Sequence, residues 1–163
     1  QVALARILAQ FASELIFEPK PPEPAEWTVN VLNGHYSNEQ IYWMTWAYRE
    51  WGDKEFLYML KGENGALNPT SRSKVWLCKK PNGKNRICSP QEEGSWLEDS
   101  YGFCQFHRPS NPGIVNHPQF FDPEWQLRTC YEHWTKYQWK FNAYKRIKAD
   151  PAYRAKIESH FNF

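Results

Sequence analysis

Glu63 closes an apolar run, Phe56-Leu57-Tyr58-Met59-Leu60, and leads into a turn-forming stretch, Asn64-Gly65-Ala66-Leu67-Asn68-Pro69. A carboxylate at the C-terminal end of a helix faces the negative end of the helix dipole, which disfavours its ionised form. Neighbouring aromatic and aliphatic side chains withdraw water from it and push its pKa further up. A carboxylic acid kept protonated near neutral pH can give its proton to a glycosidic oxygen. Glycosidases that use two carboxylates need a partner for that acid, and Glu98, Asp99 and Asp122 are the candidates. Asp99 is preferred because it adjoins a second patterned segment, Ser100-Tyr101-Gly102-Phe103-Cys104-Gln105-Phe106. The cysteines and histidines offer different chemistry. Cys104-x-x-His107 and Cys130-x-x-His133 together hold enough ligands for a tetrahedral zinc, in an order unlike the common finger spacing. His35, His117 and His160 have no partner at ligand spacing.

The elements that must position these groups are legible in outline. Ser37 with Gln40 forms a capping-box pattern, and Ile41, Met44, Tyr48 and Trp51 mark the buried face of the helix that follows. Asp53 caps a second helix running toward Glu63, with Gly62 and Gly65 expected to end it. Val75–Cys78 and Ile87–Cys88 read as a β-hairpin about Pro81-Asn82-Gly83. A loop of that length puts Cys78 opposite Arg86, so a Cys78–Cys88 bond is expected to need a bulge or a longer turn. Asp122-Pro123-Glu124 opens a helix through Trp125, Leu127 and Tyr131; another is predicted over Trp134 to Lys148, and a short one after Pro151. Upstream, Leu4, Ile7, Leu8, Phe11 and Leu15 lie at helical spacing. The division is thus an N-terminal helix over 1–18, suited to anchoring or assembly, a Pro-rich linker over 19–36, and a domain over 37–163.

Glu63-Asn64, Asn68-Pro69, Ser73 and Gly102-Phe103-Cys104-Gln105-Phe106 come in an ordered set that resembles the signature of the soluble lytic transglycosylase and goose-type lysozyme-like superfamily. The pattern there is a Glu closing a helix, then Asn-Pro-x-x-x-Ser, then Gly-Leu-x-Gln-Ile. The resemblance covers roughly Ser37 to Tyr144. It implies an α+β, mainly α, lysozyme-like fold with a small β-hairpin after the catalytic helix. It implies Glu63 as acid first and base second, and Ser73, Ser100, Tyr101 and Gln105 along the sugar cleft. Tyr144 is expected to hydrogen-bond Glu63. No cofactor is implied. The chain departs from the pattern at Ala66-Leu67, which lengthens the Glu-to-Pro interval, at Cys104, which replaces a Met, and at Asn142-Ala143-Tyr144-Lys145, where the family has Ala-Tyr-Asn.

Such a protein would be exported: secreted, in the cell envelope, or carried on a virion or secretion apparatus. Four cysteines then read as two disulfides, Cys78–Cys88 stapling the hairpin and Cys104–Cys130 tying the Gln105 segment to the next helix. The expected activity is cleavage of the β-1,4 bond between the amino sugars of peptidoglycan. With no second carboxylate inside the motifs, attack by the sugar's own C6 hydroxyl, giving 1,6-anhydro ends, is favoured over hydrolysis. The rivals are a hydrolytic lysozyme, a chitin-directed hydrolase, and a non-catalytic glycan-binding or structural component of a virion or secretion apparatus.

Composition agrees with a sugar ligand and excludes others. The chain has 163 residues, enough for one domain with an extension, and 17% are aromatic, including nine Trp. A core has little use for so many indole N–H groups, so several rings are expected to line a groove. A net charge of +2, spread among acidic residues, argues against nucleic acid as the main ligand. No run approaches the ~20 apolar residues that span a bilayer. Gln1 to Phe17 has neither the basic n-region nor the cleavage motif of a signal peptide, and no initiator Met precedes it. The expectation is a processed or trimmed chain whose export signal is out of view.

Overall fold

The computed structural model describes Thr28–Val29 and residues 36–162. The helix expected over 1–18 and most of the linker over 19–36 lie outside the described residues. Within that linker, β1 (Thr28–Val29) pairs antiparallel with β6 (Phe161–Asn162), so this part of it is an element of the fold.

Helix α1 (Asn38–Trp51) begins with the expected capping box. Gln40 N–H donates to Ser37 Oγ at 3.2 Å, and Ser37 N–H donates to Gln40 Oε1 at 2.6 Å. Gly52, left-handed at φ 62°, ends it. Helix α2 (Lys54–Glu63) is capped by Asp53, whose Oδ1 accepts from Phe56 N–H at 3.1 Å. The same carboxylate takes the indole N–H of Trp134 at 2.9 Å, fixing α2 against α4 (Pro123–Tyr137). Phe56 through Leu60 of α2 are all buried, so this helix passes through the core rather than lying on it. Gly62 lies inside α2 and does not end it; Asn64 is the C-cap.

The sheet is larger than the single hairpin expected. It has four antiparallel strands in the order β3-β2-β4-β5, formed by β2 (Arg72–Lys79), β3 (Asn85–Ile87), β4 (Trp96–Tyr101) and β5 (Phe106–His107). The hairpin register is the one read from the loop, with Cys78 opposite Arg86. The disulfide Cys78–Cys88 nevertheless forms, diagonally across the pair, with Cα atoms 5.9 Å apart. No bulge is needed, because both cysteines lie on one face and strand twist shortens one diagonal.

The helix expected over Trp134 to Lys148 is two elements. Trp134 belongs to the last turn of α4; a 3-10 turn (Gln138–Lys140) and extended Phe141 then interrupt the chain before α5 (Asn142–Ala149). No Pro or Gly marks this break; it frees the N-terminal N–H groups of α5 for a partner outside the helix. Asp150 caps α6 (Pro151–Glu158), accepting from the N–H groups of Ala152 and Tyr153. A short α3 (Pro112–Val115) links the sheet to α4. The core gathers Met44, Phe56, Met59, Phe103, Leu127 and Trp134, and each such side chain contributes ~1.5–3 kcal/mol by burial. The fold is therefore α+β, mainly helical, with a small antiparallel sheet. Among the described residues, no helix is long and apolar enough to cross a membrane.

Candidate active site

Glu63 sits at the end of α2 and lines a cleft of about 730 Å³ between the sheet and the α4–α5 junction. Its Oε1 accepts the backbone N–H of Ala143 at 3.0 Å. That N–H is one of the unpaired donors in the first turn of α5, so the carboxyl group closes the start of one helix from the end of another. The approach depends on Gly62. A Cβ there would lie 2.7 Å from Ala143 Cβ and 3.0 Å from Tyr153 Oη. Burial pushes the Glu63 pKa up, the Ala143 N–H draws it partly back, and the negative charge of Glu98 raises it again. The net direction is upward, as the sequence argument expects, and desolvation is its leading cause.

The strands place the second carboxylate. Side chains alternate along β4, so Glu98 and Ser100 face the cleft while Asp99 and Tyr101 face away. Ser73 on β2 is paired with Ser100, and Ser100 in turn with His107 on β5. Ser73, Ser100 and His107 thus form a polar row across the cleft wall, with Gln105 beside them. Ser100 Oγ donates to Glu98 Oε1.

The preference for Asp99 over Glu98 is corrected. Asp99 is buried on the other face, paired with Arg72 Nε at 3.1 Å. Burial pushes its pKa up, but hydrogen bonds from Arg72 and Tyr101 together with the charges of Arg72 and Arg108 outweigh it and hold the pKa low. Tyr101 shares that face, packed beneath the Arg72 guanidinium 4.9 Å from its ring centre, and so leaves the cleft wall. Tyr144 does not bond Glu63: its ring packs edge-on against Trp134, 4.6 Å between centres, and the Ala143 N–H takes the place expected of it. Asp122, the third candidate, is the N-cap of α4. Zinc is ruled out at Cys104, His107, Cys130 and His133, because Cys104–Cys130 is a disulfide and neither thiolate is available. His107 and His133 still line the cleft, His107 bonded to Ser110 Oγ at 2.8 Å.

The motif pieces are joined by two buried amides. Asn64 donates through Nδ2 to the carbonyls of Asn68 at 2.9 Å and Gly102 at 3.0 Å. Gln126 accepts from Phe103 N–H at 2.6 Å and donates to the carbonyls of Pro69 and Phe120. Gly102, at φ 81°, packs so tightly on Gln126 that a Cβ would come within 2.3 Å of its Oε1. Gln105 is held left-handed at φ 52° in the next turn, with Nε2 on the Gly102 carbonyl at 2.9 Å. This conformation is sparsely populated for a residue with a side chain and persists where the surroundings over-determine it. Gln126 and Tyr153 were not singled out from sequence. A signal existed for Gln126: a polar side chain one helical turn before Cys130, on the inward stripe of α4.

Compared with known proteins, the chain matches no family model, no curated protein and no solved structure.

Proposed function

We propose that this protein is a peptidoglycan-cleaving muramidase of lysozyme-like fold, with Glu63 as general acid. The observation that carries the reading is Glu63 itself: a half-buried carboxyl group with a raised pKa, aimed into a cleft and held by a backbone N–H. An acid at a helix end facing a β-excursion across a groove is the arrangement lysozyme-like folds use. Protonated Glu63 gives its hydrogen to the glycosidic oxygen, the C1–O bond breaks, and positive charge develops at C1. The amide of Gln105 and the hydroxyls of Ser73 and Ser100 offer hydrogen bonds to the sugars' N-acetyl and hydroxyl groups.

The fate of C1 turns on Glu98. The expectation of attack by the C6 hydroxyl rests on the absence of a second carboxylate inside the motifs. Glu98 lines the same cleft, close enough for its charge to raise the Glu63 pKa. It can stabilise the cation and orient a water, whose proton passes to Glu98 and then to solvent while Glu63 is reprotonated. Hydrolysis is accordingly the first reading and transglycosylation the second.

Digestion of purified wall sacculi, with products identified by mass, tests both. Muropeptides with reducing ends are expected; 1,6-anhydro ends assign the transglycosylase reaction. Glu63→Gln should lose about 10²–10⁴-fold in rate. Sacculi left intact by the wild-type protein, or cleared by the variant at a similar rate, overturn the assignment. Chitooligosaccharide cleavage without muropeptide release identifies the chitin-directed rival.

A further inference from the structure

Tyr137, Lys140, Phe141 and Asn142 line the cleft, the last of them one residue before the Ala143 N–H bound to Glu63. Between Tyr137 and Lys140 in the chain stands Trp139, 64% exposed, on the 3-10 turn between α4 and α5. The Lys140 ammonium lies 4.3 Å from the Tyr137 ring centre and 5.2 Å from that of Trp139. The two rings meet edge to face, 6.4 Å between centres and 84° between planes. An isolated exposed ring needs no explanation. This one packs against Tyr137, a residue of the cleft wall, and its neighbour Lys140 is a cation set against both aromatic rings.

Resting on the muramidase reading, we propose that Trp139 and Lys140 form an outlying subsite for the glycan strand. A pyranose ring beyond the cleft packs its C–H face on Trp139. The Lys140 ammonium pairs with a carboxylate carried on the 3-position of a muramic acid residue. The indole supplies area at low conformational cost and tolerates either amino sugar, whereas the cation distinguishes muramic acid from N-acetylglucosamine. The subsite therefore selects peptidoglycan over chitin and long strands over short ones. The carboxylate belongs either to a free lactyl group or to the stem peptide, and the two sources share this chemistry.

The test is equilibrium binding to the Glu63→Gln protein, with Trp139→Ala and Lys140→Met added singly. The probes are chitooligosaccharides of two to six units, wall strands with intact stems, and amidase-treated strands whose lactyl groups are free. Trp139→Ala should weaken the longest oligomers about tenfold and leave the shortest unchanged. Lys140→Met should weaken wall strands only, in a salt-dependent manner. Weakening on treated strands identifies the lactyl carboxylate and weakening on intact ones the stem. A preference for long oligomers that survives unchanged in Trp139→Ala, or an equal loss for chitin and wall strands in Lys140→Met, overturns the proposal while leaving Glu63 untouched. If the Glu63→Gln protein binds none of these sugars, the muramidase reading fails and the subsite with it.

Discussion

Glu63, the last residue of α2, accepts a 3.0 Å hydrogen bond from the backbone of Ala143, the second residue of α5. One contact thereby orients the acid and closes an open helix start. It holds the carboxylate form as well as the acid, so it tempers the effect of burial without reversing it.

Gly62 makes that contact possible. Gly62→Ala places a methyl group against Ala143 Cβ and the Tyr153 hydroxyl, so α5 must move away from Glu63. The propensity gain of Ala in a helix, about 1 kcal/mol, is smaller than an overpacking penalty of roughly 1–3 kcal/mol. The variant should therefore lose stability in urea denaturation and lose wall-clearing activity more steeply than it loses folded protein. A variant as stable and as active as wild type would show that the helices do not meet here.

The raised pKa of Glu63 carries a pH signature. A carboxyl group whose folded pKa lies above its unfolded value destabilises the native state once it ionises, as pH rises through the folded pKa. Below the unfolded pKa the group is protonated in both states and the penalty is absent. Glu63→Gln keeps an oxygen for the Ala143 N–H and cannot ionise. Its thermal midpoint should exceed that of wild type near neutral pH, with the difference shrinking toward pH 4. A constant difference across that range would place the origin of the effect elsewhere.

Glu98 and Asp99 are adjacent in sequence and face opposite sides of the sheet. Glu98→Gln removes a negative charge that raises the Glu63 pKa, so the alkaline limb of the pH–rate profile should move to lower pH. Loss of its carboxylate should also reduce hydrolytic products more than binding. Asp99→Asn should leave the profile in place and lower stability instead, because it weakens the buried end of the Arg72 pair. Kinetics across pH on both variants decide the matter, and the reverse pattern would restore Asp99 to the site.

Neither disulfide should yield thiols to titration in the unfolded, unreduced protein. Reduction should cost roughly 2–4 kcal/mol, more of it from Cys104–Cys130, which closes the longer loop. Full thiol reactivity without reductant would reopen the metal reading.

What could be read from the chain alone was local. The Ser37–Gln40 box, the Asp53 cap, the apolar face of α1 and the Pro81-Asn82-Gly83 register each depend on residues within a few positions of one another. Their geometry is therefore already present in the pattern. The two disulfides also followed, since each cysteine had a nearby partner and a place to meet it. Strand β4 was missed, and with it the alternation that sends Glu98 and Ser100 to one face and Asp99 and Tyr101 to the other. Had the strand been recognised, parity alone would have separated the two carboxylates. Other features had no local signal. The break at Phe141 contains no Pro or Gly, and its reason lies in the partner that α5 finds at its start. Glu63 and Ala143 are 80 positions apart, and Gln126 reaches Pro69 across 57. Side-chain types and their spacing nominated the acid, because burial and a helix end act on it from nearby. Which backbone donor holds it, and which carboxylate faces it, depended on how distant elements pack, and packing is set by the whole core at once.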